Sequence, residues 1–320
     1  MDTRNFRAGK GPLFPVPEVF YLRRKFMARR TNQYFLFVFL FFILGSTILG
    51  LLLTDILALP SDWANIIMQF LVFIPMLVIY VKTEKVSVKE CFSLKPLNWK
   101  NALLCLGIAY CALPFISMIV VLTSPLQPNL VEQAMGELND SSLLSLLFII
   151  AVQPAVFEEL LFRGAALHGY RSLGAKKALL MSALMFAMLH MNLQQALYAF
   201  LLGAIFAFMV QRTGSIFASM LPHFLINALN CFATTAQTPQ QGVVEELSFV
   251  QELLGVGLQC LIYLPFLALL IYLFLRRNPA PAPALPADTD APKEKIFTVS
   301  FWIIVAIFIF FGVLPNLYWK

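Results

Sequence analysis

Charge is scarce in this chain. Of its 320 residues, 12% are Asp, Glu, Lys or Arg and 60% are hydrophobic, a balance far from that of a soluble globular domain. So large an excess of apolar side chains, 31 Phe among them, needs lipid to cover it. What is missing also excludes several chemistries. The five cysteines (Cys91, Cys105, Cys111, Cys231 and Cys260) share no CxxC spacing, which argues against a zinc knuckle or a disulfide framework and leaves them as small hydrophobes. No HExxH occurs, so a zincin helix is absent, and none of the six aspartates falls inside an apolar run, which argues against an aspartyl intramembrane protease. The net charge of +6 does not point to nucleic acid, because the basic residues lie between apolar runs and not on a polar domain. No internal repeat and no soluble domain is evident.

What is present is a succession of apolar runs near 34–54, 63–81, 101–122, 142–163, 177–192, 194–211, 214–235, 253–275 and 297–314. Most are long enough for a helix to cross a bilayer. The sequence therefore predicts an all-α fold, a polytopic transmembrane helix bundle with eight or nine spans. Only residues 191–195 separate two of the runs, so a hairpin of short spans is expected there. The first 30 residues carry Arg4, Arg7, Lys10, Arg23, Arg24, Lys25, Arg29 and Arg30, and no small-residue cleavage site follows the first run. That favours a retained first helix with a cytoplasmic N-terminus.

Basic residues recur in alternate loops: five Lys in 82–100, then Arg171, Lys176 and Lys177, then Arg212, then Arg276 and Arg277. The intervening loops 55–62, 123–141, 191–195 and 236–252 hold no Lys or Arg, only acids such as Asp55, Asp62, Glu132, Glu137, Asp140, Glu245, Glu246 and Glu252. This alternation satisfies the positive-inside rule throughout. The expected organisation is a basic cytoplasmic segment 1–33, N-terminal membrane helices 34–139, a core 140–235, a loop and helix 236–277, a Pro/Ala-rich linker 278–296, and a last helix 297–320 with Tyr318 and Trp319 at its outer interface.

Within the apolar runs three residues carry formal charge: Glu158, Glu159 and Arg163. Each such charge costs roughly 2.5–3.5 kcal/mol at the centre of a membrane helix, so adjacent carboxylates need a structural or chemical reason. His190, His223 and Asn227 are the polar residues that accompany them. Counted from the nearest cytoplasmic basic residue, Glu158 lies thirteen positions before Arg171, His190 thirteen after Lys177, and His223 eleven after Arg212. At about 1.5 Å per residue all three lie roughly 16–20 Å deep, so they can meet in one pocket. Asn227 follows His223 by four positions, on the same helix face. Arg163 follows Glu159 by four, which pairs those two and leaves Glu158 for the pocket, although a free Glu159 is also open. His168 reads as a surface residue, and Ser182 and Ser219 read as ordinary helix-packing serines.

Taken singly, these residues have plainer readings: a packing clamp for the Glu–Arg pair, a satisfied hydrogen bond for a lone His, interhelical glue for Asn227. Their co-occurrence at one depth favours chemistry. EELLFRG at 158–164, FAMLH at 186–190 and HFLIN at 223–227 resemble the EExxxR, FxxxH and HxxxN motifs of the CPBP family, the group of CAAX-type prenyl endopeptidases and of bacteriocin-processing or Abi proteins. The resemblance covers about residues 140–235. It implies an intramembrane glutamic endopeptidase in which Glu158 with His190 activates a water, His223 and Asn227 hold the oxyanion, and Glu159 and Arg163 support them.

Such chemistry is physically sound. A carboxylate in an apolar pocket is a stronger general base than one in water, and oriented donors in low dielectric stabilise developing charge. Two His and one Glu could equally hold zinc; the resemblance implies that no metal or other cofactor is needed. The implied partner is a membrane-associated protein or peptide substrate. Competing readings are a proton-coupled transporter using the same acids as a relay, and a non-catalytic binding or immunity protein.

Overall fold

The structure, a computed structural model, describes residues 27–125, 141–236, 247–280 and 294–317. The basic residues up to Lys25, the acids Glu132, Glu137, Asp140, Glu245 and Glu246, most of the Pro/Ala linker, and Tyr318 and Trp319 lie outside them. Among the described residues there is no strand. The nine long helices are α1 (Met27–Ile56), α2 (Ser61–Glu84), α3 (Trp99–Thr123), α4 (Leu143–Gly169), α5 (Ala175–Leu189), α6 (Leu193–Thr213), α7 (Phe217–Ala236), α8 (Phe249–Arg277) and α9 (Val299–Val313).

Their ends follow from local chemistry. Asn98, Ser142, Asn192, Ser248 and Thr298 stand just before apolar runs, and each side chain accepts a backbone N–H of the first helical turn. Ser248 and Gln251 form a reciprocal capping box. At the other end of α6 the chain leaves the helix through Gly214 at φ 68°, a conformation glycine adopts without steric cost.

Six of these helices, α1, α2, α3, α4, α6 and α8, are long and apolar enough to cross a membrane. The expected eight or nine spans are not confirmed: six qualify by length and composition among the described residues. The difference has a physical cause: an apolar run also counts caps and turn residues, which add no helical rise. The run at 177–192 yields α5, whose 15 residues rise only about 22 Å, less than the roughly 30 Å hydrocarbon slab. α7 and α9 carry shorter apolar helical stretches as well.

The basic loops gather at one end of the bundle. Arg30 at the start of α1 pairs with Glu84 at the end of α2 at 2.7 Å, and Ser215 before α7 donates to the Lys95 carbonyl at 2.6 Å. Arg277 at the end of α8 donates to Asn98 at 3.0 Å, and Ser172 after α4 to Glu294 before α9 at 2.9 Å. The opposite end is marked by Ser145 donating to Asp62 at 3.3 Å.

α4 lies at the centre, packed against α2, α5, α6 and α7. It is wound off the ideal α path twice, in wide π-type turns at Leu147–Val152 and Leu160–Ala166. Close approach is secured by glycine: a Cβ on Gly203 of α6 would stand 3.1 Å from the Ala183 backbone of α5 and 3.1 Å from the Phe186 ring. Gly169 does the same at the end of α4, where a Cβ would meet Thr31 and Tyr80.

That approach corrects the reading of His168. It is buried, with Nδ1 2.9 Å from the Tyr80 hydroxyl, because the glycine beside it draws the helix end against α1 and α2. The cysteines are all free, four of them buried. Burial pushes the Cys91 thiol up to about 12 even though Arg171 lies close by, so it remains a neutral hydrophobe. Gly203→Val should destabilise the fold by about 1–3 kcal/mol, seen as a lower unfolding midpoint in detergent. An unchanged midpoint would show that α5 and α6 can part without cost.

Candidate active site

The site is built on α4, α5 and α7. On α4 the two adjacent acids project about 100° apart, and the structure gives them different surroundings. The Glu159 side chain has no solvent exposure, whereas that of Glu158 keeps 21%. Arg163 places Nη1 3.2 Å from Glu159 Oε1, the expected i,i+4 pair. Its guanidinium lies 4.2 Å from the Phe186 ring centroid and 5.4 Å from that of Phe206. These two π faces partly replace the hydration that burial removes.

Glu159 has a second partner that sequence reading had not given it. His223 Nδ1 stands 2.8 Å from Glu159 Oε1, and the Ser219 hydroxyl lies alongside the same carboxylate. A carboxylate can only accept, so Nδ1 donates. That bond fixes the ring and directs Nε2 outward, where it sits 3.7 Å from Glu158 Oε2. His223 thus lies between the two acids, oriented by the buried one and facing the accessible one. This is the logic by which a carboxylate orients the histidine of a catalytic triad.

His190 closes α5. Its Nδ1 donates to the Phe186 carbonyl at 2.8 Å, satisfying a carbonyl left over at the helix end and leaving Nε2 for other work. Glu158, His223 and Arg163 all act on it electrostatically. The Phe186 ring touches His190 and His223 at centroid distances of 4.8 and 6.0 Å, besides stacking on Arg163.

Asn227 is placed differently. Its Nδ2 donates to the Ile150 carbonyl of α4 at 2.9 Å. That carbonyl is available because Pro154, four residues on, has no N–H to offer it. One amide hydrogen of Asn227 therefore ties α7 to α4.

Of the predicted site residues, Glu158, Glu159, Arg163 and His223 meet directly, His190 shares the Phe186 ring with His223, and Asn227 is held on the adjoining turn of α7. Phe186, Phe206 and Ser219 belong to the same cluster and were not foreseen as members. Phe186 had a signal, being the first residue of FAMLH. Phe206 looked like any apolar residue of α6. Ser182 and Ser219 donate to the Phe162 and Ile216 carbonyls at 2.7 and 2.9 Å, in keeping with packing serines.

The family model described as "Type II CAAX prenyl endopeptidase Rce1-like" matches residues 140–229, the stretch that carries all of these side chains. No curated protein and no solved structure matches the chain. The match spans α4 to α7 up to Ala228 and Leu229, so α1, α2, α3, α8 and α9 lie outside it.

The charge pair inside the matched segment makes a stability prediction. Arg163→Met leaves Glu159 buried without its cation and should cost about 3–5 kcal/mol. Adding Glu159→Leu should recover much of that loss, as measured by a double-mutant cycle on unfolding midpoints. Strictly additive losses would mean that the pair is not coupled.

Proposed function

We propose that the protein is an intramembrane endopeptidase of the glutamic type, acting on a membrane-associated protein or peptide. The observation that carries this is the gap between Glu158 Oε2 and His223 Nε2, 3.7 Å wide, at the accessible edge of an otherwise buried charge network. Support comes from the family match that contains it.

The reaction follows from the positions of the groups. Glu158, with His190 beside it, takes a proton from a water. The water oxygen attacks the peptide carbonyl carbon, and the negative charge passes to the carbonyl oxygen. With both ring nitrogens of His223 protonated, Nδ1–H is held by Glu159 and Nε2–H donates to that oxyanion, joined by the second amide hydrogen of Asn227. The proton on Glu158 then passes to the leaving nitrogen as the C–N bond breaks. Glu159 and Arg163 keep their charges throughout and hold His223 in place. In this reading the basic end of the bundle is cytoplasmic, and the substrate is a lipidated C-terminus of CAAX type or a peptide undergoing maturation.

The test uses full-length protein in detergent or nanodiscs with farnesylated CAAX peptides and a membrane-peptide library. Glu158→Gln should lower kcat at least about 100-fold, and His223→Ala or Asn227→Ala about 100- to 1,000-fold. Cleavage by Glu158→Gln at the wild-type rate would remove Glu158 as the base. Absence of cleavage together with substrate flux across vesicles would favour a carrier instead.

A further inference from the structure

α9 lies outside the matched segment, yet it reaches the turn that carries His190. Its first residues are clasped to the basic end of the bundle: Asn32 donates to the Ile296 carbonyl at 2.7 Å and to Thr298 Oγ1 at 2.9 Å, and Tyr170 donates to Asn32 at 2.6 Å. Glu294 accepts the Ala28 backbone N–H at 2.6 Å at the start of α1. From that anchor α9 runs against α1 and α5, burying Phe301 and Ile304.

Near its far end Gly312 is buried, and a Cβ there would stand 2.8 Å from the Met191 carbonyl carbon, 3.0 Å from its Cα and 3.1 Å from its oxygen. These are backbone atoms, so the neighbour cannot yield as a flexible side chain would. Met191 follows His190 directly and holds φ at 48°, a left-handed conformation that is unfavourable for a residue with a side chain. The turn is also pinned on both sides. His190 and Met191 donate backbone N–H groups to Ala187 and Met188, and Asn192 caps α6 through the Gln195 N–H at 2.8 Å.

We infer that Gly312 is a positioning residue for His190: the bare backbone of α9 packs against the Met191 peptide and holds the strained turn that sets the histidine ring on the Phe186 carbonyl and ring. The inference rests on the reading of His190 as a member of the catalytic site. It assigns α9 a part in the reaction, although the helix lies outside the segment that matches the peptidase family.

The chain contains three histidines, so histidine-selective 13C labelling of the full-length protein gives three ring signals, with His190 assigned by His190→Gln. Gly312→Ala should move the His190 signal and leave those of His168 and His223 in place. Gly312→Val should move it further; if that variant does not fold, Gly312→Ala decides alone. Gly255→Ala, at a position with nothing within 4 Å, should move none of the three. On a cleaved peptide, kcat of Gly312→Ala should fall about tenfold with KM within about twofold, as a displacement of a few tenths of an ångström predicts. A folded Gly312→Ala with an unmoved His190 signal, or one in which all three signals move together, would overturn the inference. If wild type cleaves no peptide, the peptidase reading fails, and the ring signals still judge the contact.

Discussion

The arrangement depends on one buried ion pair. Glu159 and Arg163 have no solvent-exposed side-chain surface, and removing two such groups from water costs several kcal/mol each. Their attraction offsets this only when the remaining polarity is also answered. Part of the answer comes from separate helices: His223 from α7 on Glu159 Oε1, the Phe186 face from α5 and the Phe206 face from α6 on Arg163. Four helices therefore have to close around one pair before any of them is well placed. The position of His223, and with it the gap to Glu158, is a by-product of satisfying Glu159.

That division of labour explains why two adjacent acids are useful. One is sealed and acts as a fixed anion that orients a ring. The other is on the accessible edge, where the proposed reaction needs its base. A single carboxylate would have to do both, and the better it was held, the less it could react.

Much of this was legible in the sequence because membranes make polarity expensive. Three charges in the apolar runs, three histidines in the whole chain and the i,i+4 spacing of Glu159 and Arg163 were enough to pick out residues that the fold brings together. The alternation of Lys and Arg foretold which helix ends would lie on one side, and there Arg30 meets Glu84 and Arg277 meets Asn98. What escaped was tertiary. His168 looked peripheral because distance from a helix end says nothing about Tyr80 arriving from another helix. Phe206 carries no mark distinguishing it from the other apolar residues of α6. The span count failed for α5, since hydropathy adds up residues regardless of whether they add rise. The bond from Asn227 to Ile150 was hidden although Pro154 advertised a carbonyl without its usual donor.

The two wide turns in α4 have a consequence for how this segment can vary. Each π-type turn accommodates extra residues per turn, and between them they set the angular position of the Glu158–Glu159 pair and of Arg163 relative to Asn227, Phe186 and Phe206. Apolar residues there can exchange for others of similar volume, but losing or gaining one position would rotate everything beyond it by about 100°. Outside Pro154, Glu158, Glu159, Arg163 and Gly169, the stretch from Leu143 to Gly169 is thus free in spelling and fixed in length.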